Sequence, residues 1–121
     1  MQYESAVRVA SEIADGVTYT VARVSFERRL ELMRRVRELA RRMEFLEASQ
    51  DPGSKMDAKL LRTEIDGICL LWGLRGIAGL AIDGKPATPE LLANSGPEAL
   101  FREALAAVQA QAGLSEPERK N

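Results

Sequence analysis

The chain has 121 residues, with 17 basic and 18 acidic side chains and a formal net charge of -1. That balance excludes a general electrostatic pull toward nucleic acid or an anionic membrane. Histidine is absent, which removes Ser-His-Asp, Cys-His and HExxH chemistry, and the one cysteine, Cys69, can form neither an internal disulfide nor a multi-cysteine zinc site.

The length suits a single domain over residues 1–121. Aromatic residues make up only 5%, so aliphatic side chains must build its core. No apolar run approaches the ~18 residues needed to span a bilayer. The opening Met-Gln-Tyr-Glu-Ser lacks the basic start and apolar stretch of a signal peptide. A cytosolic, reducing compartment fits these features.

Residues 1–24 alternate in polarity. Val7, Val9 and Ile13 precede Asp15-Gly16, and Val17, Tyr19 and Val21 follow it. This pattern predicts a β-hairpin with strands over about 5–13 and 17–24, joined by a turn that glycine's positive φ makes easy. The second strand is the better defined, because Val-Thr-Tyr-Thr-Val is β-branched and aromatic.

Residues 25–73 read as a helical hairpin. Ser25 can cap the first helix, with Glu27 complementing its N-terminal dipole. Leu32, Val36, Leu39, Met43 and Leu46 then repeat at 4-3-4-3 spacing, which predicts a long amphipathic helix over 26–49. Asp51-Pro52-Gly53 stops it. Ser54 and Asp57 have capping-box spacing for a second helix over about 55–72, with Leu61, Ile65, Ile68 and Trp72 as its stripe. The short connection makes the two helices antiparallel neighbours.

Residues 74–88 read as a loop with a small second hairpin. Gly73, Gly76 and Gly79 end the second helix, and Asp83-Gly84 supplies a turn. Pro86 must then sit at a strand edge. Residues 89–121 read as C-terminal helices and a tail. Thr88-Pro89-Glu90 starts a short helix to about 94, and Ser95-Gly96-Pro97-Glu98 starts another that runs to about 112. Phe101, Leu105, Val108 and Ala112 form the stripe of the latter, and Gly113 stops it. Ser115-Glu-Pro-Glu118 is a fresh helix start followed by only three residues, as expected of a short cap-like tail or of a longer natural chain. The fold class expected is therefore α+β and mainly α-helical.

Candidate sites are few. Seven arginines, Arg28, Arg29, Arg34, Arg35, Arg37, Arg41 and Arg42, lie on the first long helix. They can form a nucleic-acid-binding face, a docking face for an acidic protein, or a solvated face of i,i+4 ion pairs such as Glu31–Arg35, Arg34–Glu38 and Glu38–Arg42. The last reading is favoured, because glutamates interleave. The GxxGxxG spacing at Gly73, Gly76 and Gly79 is neither a dinucleotide fingerprint nor a Walker loop. Asp15 and Asp83 are explained by their turns. Cys69, between Ile68 and Leu70, reads as a small buried hydrophobe. No catalytic, cofactor-binding or metal-ligating residue is expected. Arg34, Arg41, Trp72 and Phe101 are the candidate protein-interface residues, although Trp72 also closes a core stripe.

Taken in order, these pieces resemble the small tail assembly chaperones and related minor tail proteins of long-tailed bacteriophages and prophages. The resemblance runs through Asp15-Gly-Val-Thr-Tyr-Thr-Val, Trp72 at the end of the second helix, Gly79-Leu-Ala-Ile-Asp-Gly-Lys-Pro-Ala-Thr-Pro-Glu90 and Gly113-Leu-Ser-Glu-Pro-Glu-Arg-Lys-Asn121. It spans residues 15–121, and order and spacing carry it. The resemblance implies a non-enzymatic helper in the bacterial host cytoplasm that binds the tape-measure protein, or tail tube subunits, before the tube polymerises. Some relatives continue through a programmed frameshift. The family offers no catalytic residues to carry over. A structural minor tail component of the virion and a small nucleic-acid-binding regulator are the alternatives. A second copy of the chain is a further candidate partner, through the heptad-like stripe of the first long helix.

Overall fold

The structure, a computed structural model, describes residues 1–113. The alternating N-terminal segment forms strands β1 (Ala6–Ala10) and β2 (Thr18–Ala22), paired antiparallel with Val7 opposite Val21 and Val9 opposite Tyr19. Period-two alternation puts Val17, Tyr19 and Val21 on one face with Val7 and Val9, and that face is the buried one. The strands are shorter than expected. Ile13 is exposed in the connection and not in β1. There the Ser11 hydroxyl accepts from the amides of Ile13 and Ala14, and so offers the backbone an alternative to the ladder.

The helical hairpin is present. Helix α1 (Phe26–Glu47) begins at Ser25, whose side chain accepts from the Arg28 amide at 3.2 Å. Helix α2 (Pro52–Gly73) begins three residues earlier than the spacing suggested, because Asp51 and not Ser54 is its cap. The Asp51 carboxylate accepts from the Ser54 amide at 3.1 Å, and Pro52 occupies the first turn, where its missing N–H costs nothing.

The segment after α2 differs most from expectation. It is a third strand, β3 (Leu74–Ala78), antiparallel to β2, so the main sheet has the order β1-β2-β3. The register slips at Arg75, since Thr20 faces Gly76 while Val21 faces Leu74, and this leaves a bulge. The strand was hidden because the glycines on either side of it are needed for close approach. A Cβ at Gly73 would overlap the Val108 side chain, and a Cβ at Gly79 would overlap the Gly16 carbonyl oxygen. The expected small hairpin follows as β4 (Ala81–Ile82) and β5 (Lys85–Pro86).

Helix α3 (Pro89–Ser95) is capped by Thr88, whose hydroxyl accepts from the Leu91 amide at 3.1 Å. Helix α4 (Glu98–Gln111) starts at Pro97 without a side-chain cap, so Ser95 closes α3 and does not cap α4. Gly113 has φ of 75°, which suits the left-handed stop expected of it. The helix start at Ser115 lies outside the described residues. The fold is α+β and mainly helical.

The core lies between the inner face of the sheet, α4, α3 and the C-terminal half of α2, around Tyr19, Leu70, Leu92, Val21 and Val108. Helix α1 packs along α2, and its base, at Leu32 and Val36, meets the core. The first helix, the Pro-Gly connection and the first half of α2 therefore form an arm inserted between β2 and β3.

Candidate protein-binding surface

The arm is built from the stripes the sequence contains. Val36, Leu39, Met43 and Leu46 are half-buried on α1, and Ala58 and Leu61 are buried on α2, the helix it packs along. Leu32, near the base, is the only fully buried residue of α1. A two-helix layer cannot enclose its seam, and this leaves large apolar side chains uncovered. Phe45 is 79% exposed, Met56 68% and Leu60 58%.

Phe45 and Leu60 border a groove along one flank of the arm. It measures about 680 Å³ and is lined by Arg41, Arg42, Phe45 and Leu46 of α1 and by Asp57, Leu60, Leu61 and Glu64 of α2. Its α1 wall is basic and its α2 wall acidic. Among the described residues, Arg42, Asp57 and Glu64 form no salt bridge, and Arg41 reaches only Glu38 of its own helix, at 3.9 Å.

The other flank of α1 carries exposed Phe26 and Met33. Seven residues apart, they stand one above the other on the helix. Beside Met33 is a second cleft of about 260 Å³, at the base of the arm, bordered by Val24, Arg29, Leu32, Trp72 and Ala112. The walls of this cleft are anchored. Arg29 Nη1 donates to the Ala112 carbonyl at 2.9 Å, which ties α1 to the end of α4. The Arg28 guanidinium stacks 4.7 Å from the Trp72 ring centroid, donates to the Trp72 carbonyl, and pairs with Glu31 at 2.9 Å.

The candidate interface residues are not brought together. Arg34 is exposed on the outer side of α1, and Arg41 rims the groove. Trp72 is 5% exposed, so it is a core residue whose ring borders the basal cleft and not a protruding anchor. Phe101 is half-buried on α4, with Arg102 5.7 Å from its ring centroid. Of the expected ion pairs, Glu31–Arg35 forms at 2.7 Å, while Glu38 turns to Arg41 and away from Arg34 and Arg42. Of the apolar residues of the groove, Leu46 and Leu61 were in the expected stripes, while Phe45 and Leu60 were missed. Their signal is a doubled apolar pair, Phe45-Leu46 on α1 and Leu60-Leu61 on α2, in which the first member lies off the stripe.

A polar cluster lies at the opposite end of the fold. Glu103 Oε1 accepts from Tyr19 Oη at 2.8 Å and from Ser11 Oγ at 2.5 Å, and Oε2 accepts from the Glu12 amide at 2.8 Å. Burial pushes the Tyr19 phenol up to about 12, with the Glu103 contact adding to it. Burial acts to raise Glu103, but the donors from Ser11, Tyr19 and the loop amides outweigh it and hold the carboxyl below its usual range. This arrangement ties the β1–β2 connection to α4. Cys69 is buried on α2. No helix among the described residues is long and apolar enough to cross a membrane. No family model, curated protein or solved structure matches this chain.

Proposed function

We propose that this protein is a non-enzymatic assembly factor that holds an elongated helical client, in the manner of a phage tail assembly chaperone. The supporting observation is the arm: α1 and the first half of α2 extend from the core with large apolar side chains uncovered on both flanks. Contiguous exposed apolar surface of this kind marks a protein-interaction site. The resemblance in residues 15–121 supplies the identity of the client, the tape-measure protein or tail tube subunits, and the setting, the host cytoplasm.

The client is assigned to the flank that carries Phe26, Met33 and the basal cleft. An amphipathic client helix lays apolar anchors at i, i+3/i+4 and i+7 spacing into such a surface. Phe26 and Met33 match the longest of those intervals. Arg29 and Arg37 on the same side favour a client with an acidic edge.

Co-purification with a tape-measure fragment tests this reading. Capture by the native chain that is lost in Met33→Glu supports it, and no capture by a folded native chain removes it. Detection of the protein in lysate but not in purified virions separates a chaperone from a minor tail component.

A further inference from the structure

We propose that the groove between Phe45 and Leu60 is covered by a second copy of this chain, and that two arms pair side by side, tips together, in a four-helix bundle. The groove is self-complementary. It has one basic wall, Arg41 and Arg42 on α1, and one acidic wall, Asp57 and Glu64 on α2, with apolar Phe45, Leu46, Leu60 and Leu61 between them. A foreign helix would have to bring acid to one side and base to the other in the right register. A second copy does so by construction.

The symmetry follows from the hairpin. A two-fold axis running parallel to the arm places α1 of each copy over α2 of the other, with both tips pointing the same way. Each basic wall then meets the partner's acidic wall at the same height, and the contact is isologous and closed. The apolar residues of both copies meet in the middle, which removes Phe45 and Leu60 from water and completes the seam that two helices alone leave open. Arg42, Asp57 and Glu64 have no salt bridge among the described residues, so these charges are available across the interface. The opposite flank, with Phe26 and Met33, stays outside the bundle, so pairing needs no client and does not depend on the client reading.

Sedimentation and light scattering of the full chain at low ionic strength test the proposal. At about 100 μM, even a Kd of ~10 μM leaves most of the chain paired, so a dimer of twice 13.3 kDa is expected. Leu60→Glu should be monomeric with unchanged circular dichroism, because the side chain it replaces is already largely exposed in one copy.

Charge reversal gives the sharper result. Arg42→Glu and Glu64→Arg should each weaken pairing by roughly tenfold or more, since each sets two like-charge contacts across the axis. An equimolar mixture of the two variants should recover pairing. In the mixed dimer the introduced glutamate of one copy meets the introduced arginine of the other, and the remaining native Glu64 meets the remaining native Arg42. A monomer at all concentrations overturns the proposal. So does a dimer indifferent to Leu60→Glu, or one in which the mixed charge variants pair no better than each alone.

Discussion

Tyr19 and Glu103, 84 positions apart in the chain, meet through a 2.8 Å hydrogen bond in which the phenol donates to the carboxylate. The contact joins the central strand of the sheet to α4. Its consequence is a pH dependence with a definite sign at each end.

On the acid side, the folded Glu103 carboxyl titrates below its ordinary range. A group depressed in this way contributes stability that is present above the unfolded value, about 4.3, and lost as pH falls through the folded one. Acid unfolding monitored by circular dichroism should therefore be shallower in Glu103→Gln than in the native chain. Equal slopes would show that the cluster does not link protonation to folding.

On the alkaline side, the Tyr19 phenol is raised to about 12. Its contribution is present below the unfolded value, about 10, and is lost as pH rises through the folded one. The chain has two tyrosines, so Tyr3→Phe leaves Tyr19 as the sole reporter. Phenolate absorbance in that variant should rise only near pH 12, or earlier if the protein unfolds first and a parallel dichroism trace shows it. Ionisation near the ordinary value of about 10 in a folded chain would contradict the buried contact.

Gly79 and Gly84 form a matched pair of backbone tests. Both have positive φ, 82° and 78°, but a Cβ at Gly79 meets the Gly16 carbonyl whereas one at Gly84 meets nothing within 4 Å. Gly84→Ala should cost about 1 kcal/mol from backbone strain alone. Gly79→Ala should cost distinctly more, about 3 kcal/mol, with a melting temperature lower by roughly 10 °C. Equal costs would mean that the two turns do not touch.

Arg28 should not tolerate lysine. Its guanidinium stacks on Trp72, donates to the Trp72 carbonyl and pairs with Glu31 at once. A lysine ammonium lacks the planar face and the fork. Arg28→Lys should lose about 1–2 kcal/mol and shift the emission of the single tryptophan to the red. Unchanged emission and melting would place Trp72 in a different environment.

Val36 and Leu39 are half-buried on the α2 side of α1, Val36 packed against the core and Leu39 farther out along the arm. Val36→Asp or Leu39→Asp should unlatch the arm, because the carboxylate is desolvated without a partner. Amide hydrogen exchange is the informative measurement. Rapid exchange along α1 with protection retained in β2 and α4 is expected, and loss of protection everywhere would show that the arm and the core unfold as one unit.

Periodicity, caps and turn chemistry are local, and for that reason the chain order of strands, long helices and short C-terminal helices was legible in the sequence. Ser25, Thr88 and Gly113 act where their side chains or backbone freedom suggested. What local signals could not supply was the pairing of distant segments. β3 looked like a glycine-rich loop because the glycines around it answer to Gly16 and Val108, which only folding brings near. Ser54 looked like the cap of α2, but Asp51 starts the helix earlier and takes the Ser54 amide itself. An amphipathic stripe is identical on paper whether a core or water faces it. Only the tertiary arrangement decided that past its base α1 packs along α2 alone, and so left Phe45 and Leu60 bare: the insertion between β2 and β3 carries the outer part of the arm away from α3 and α4.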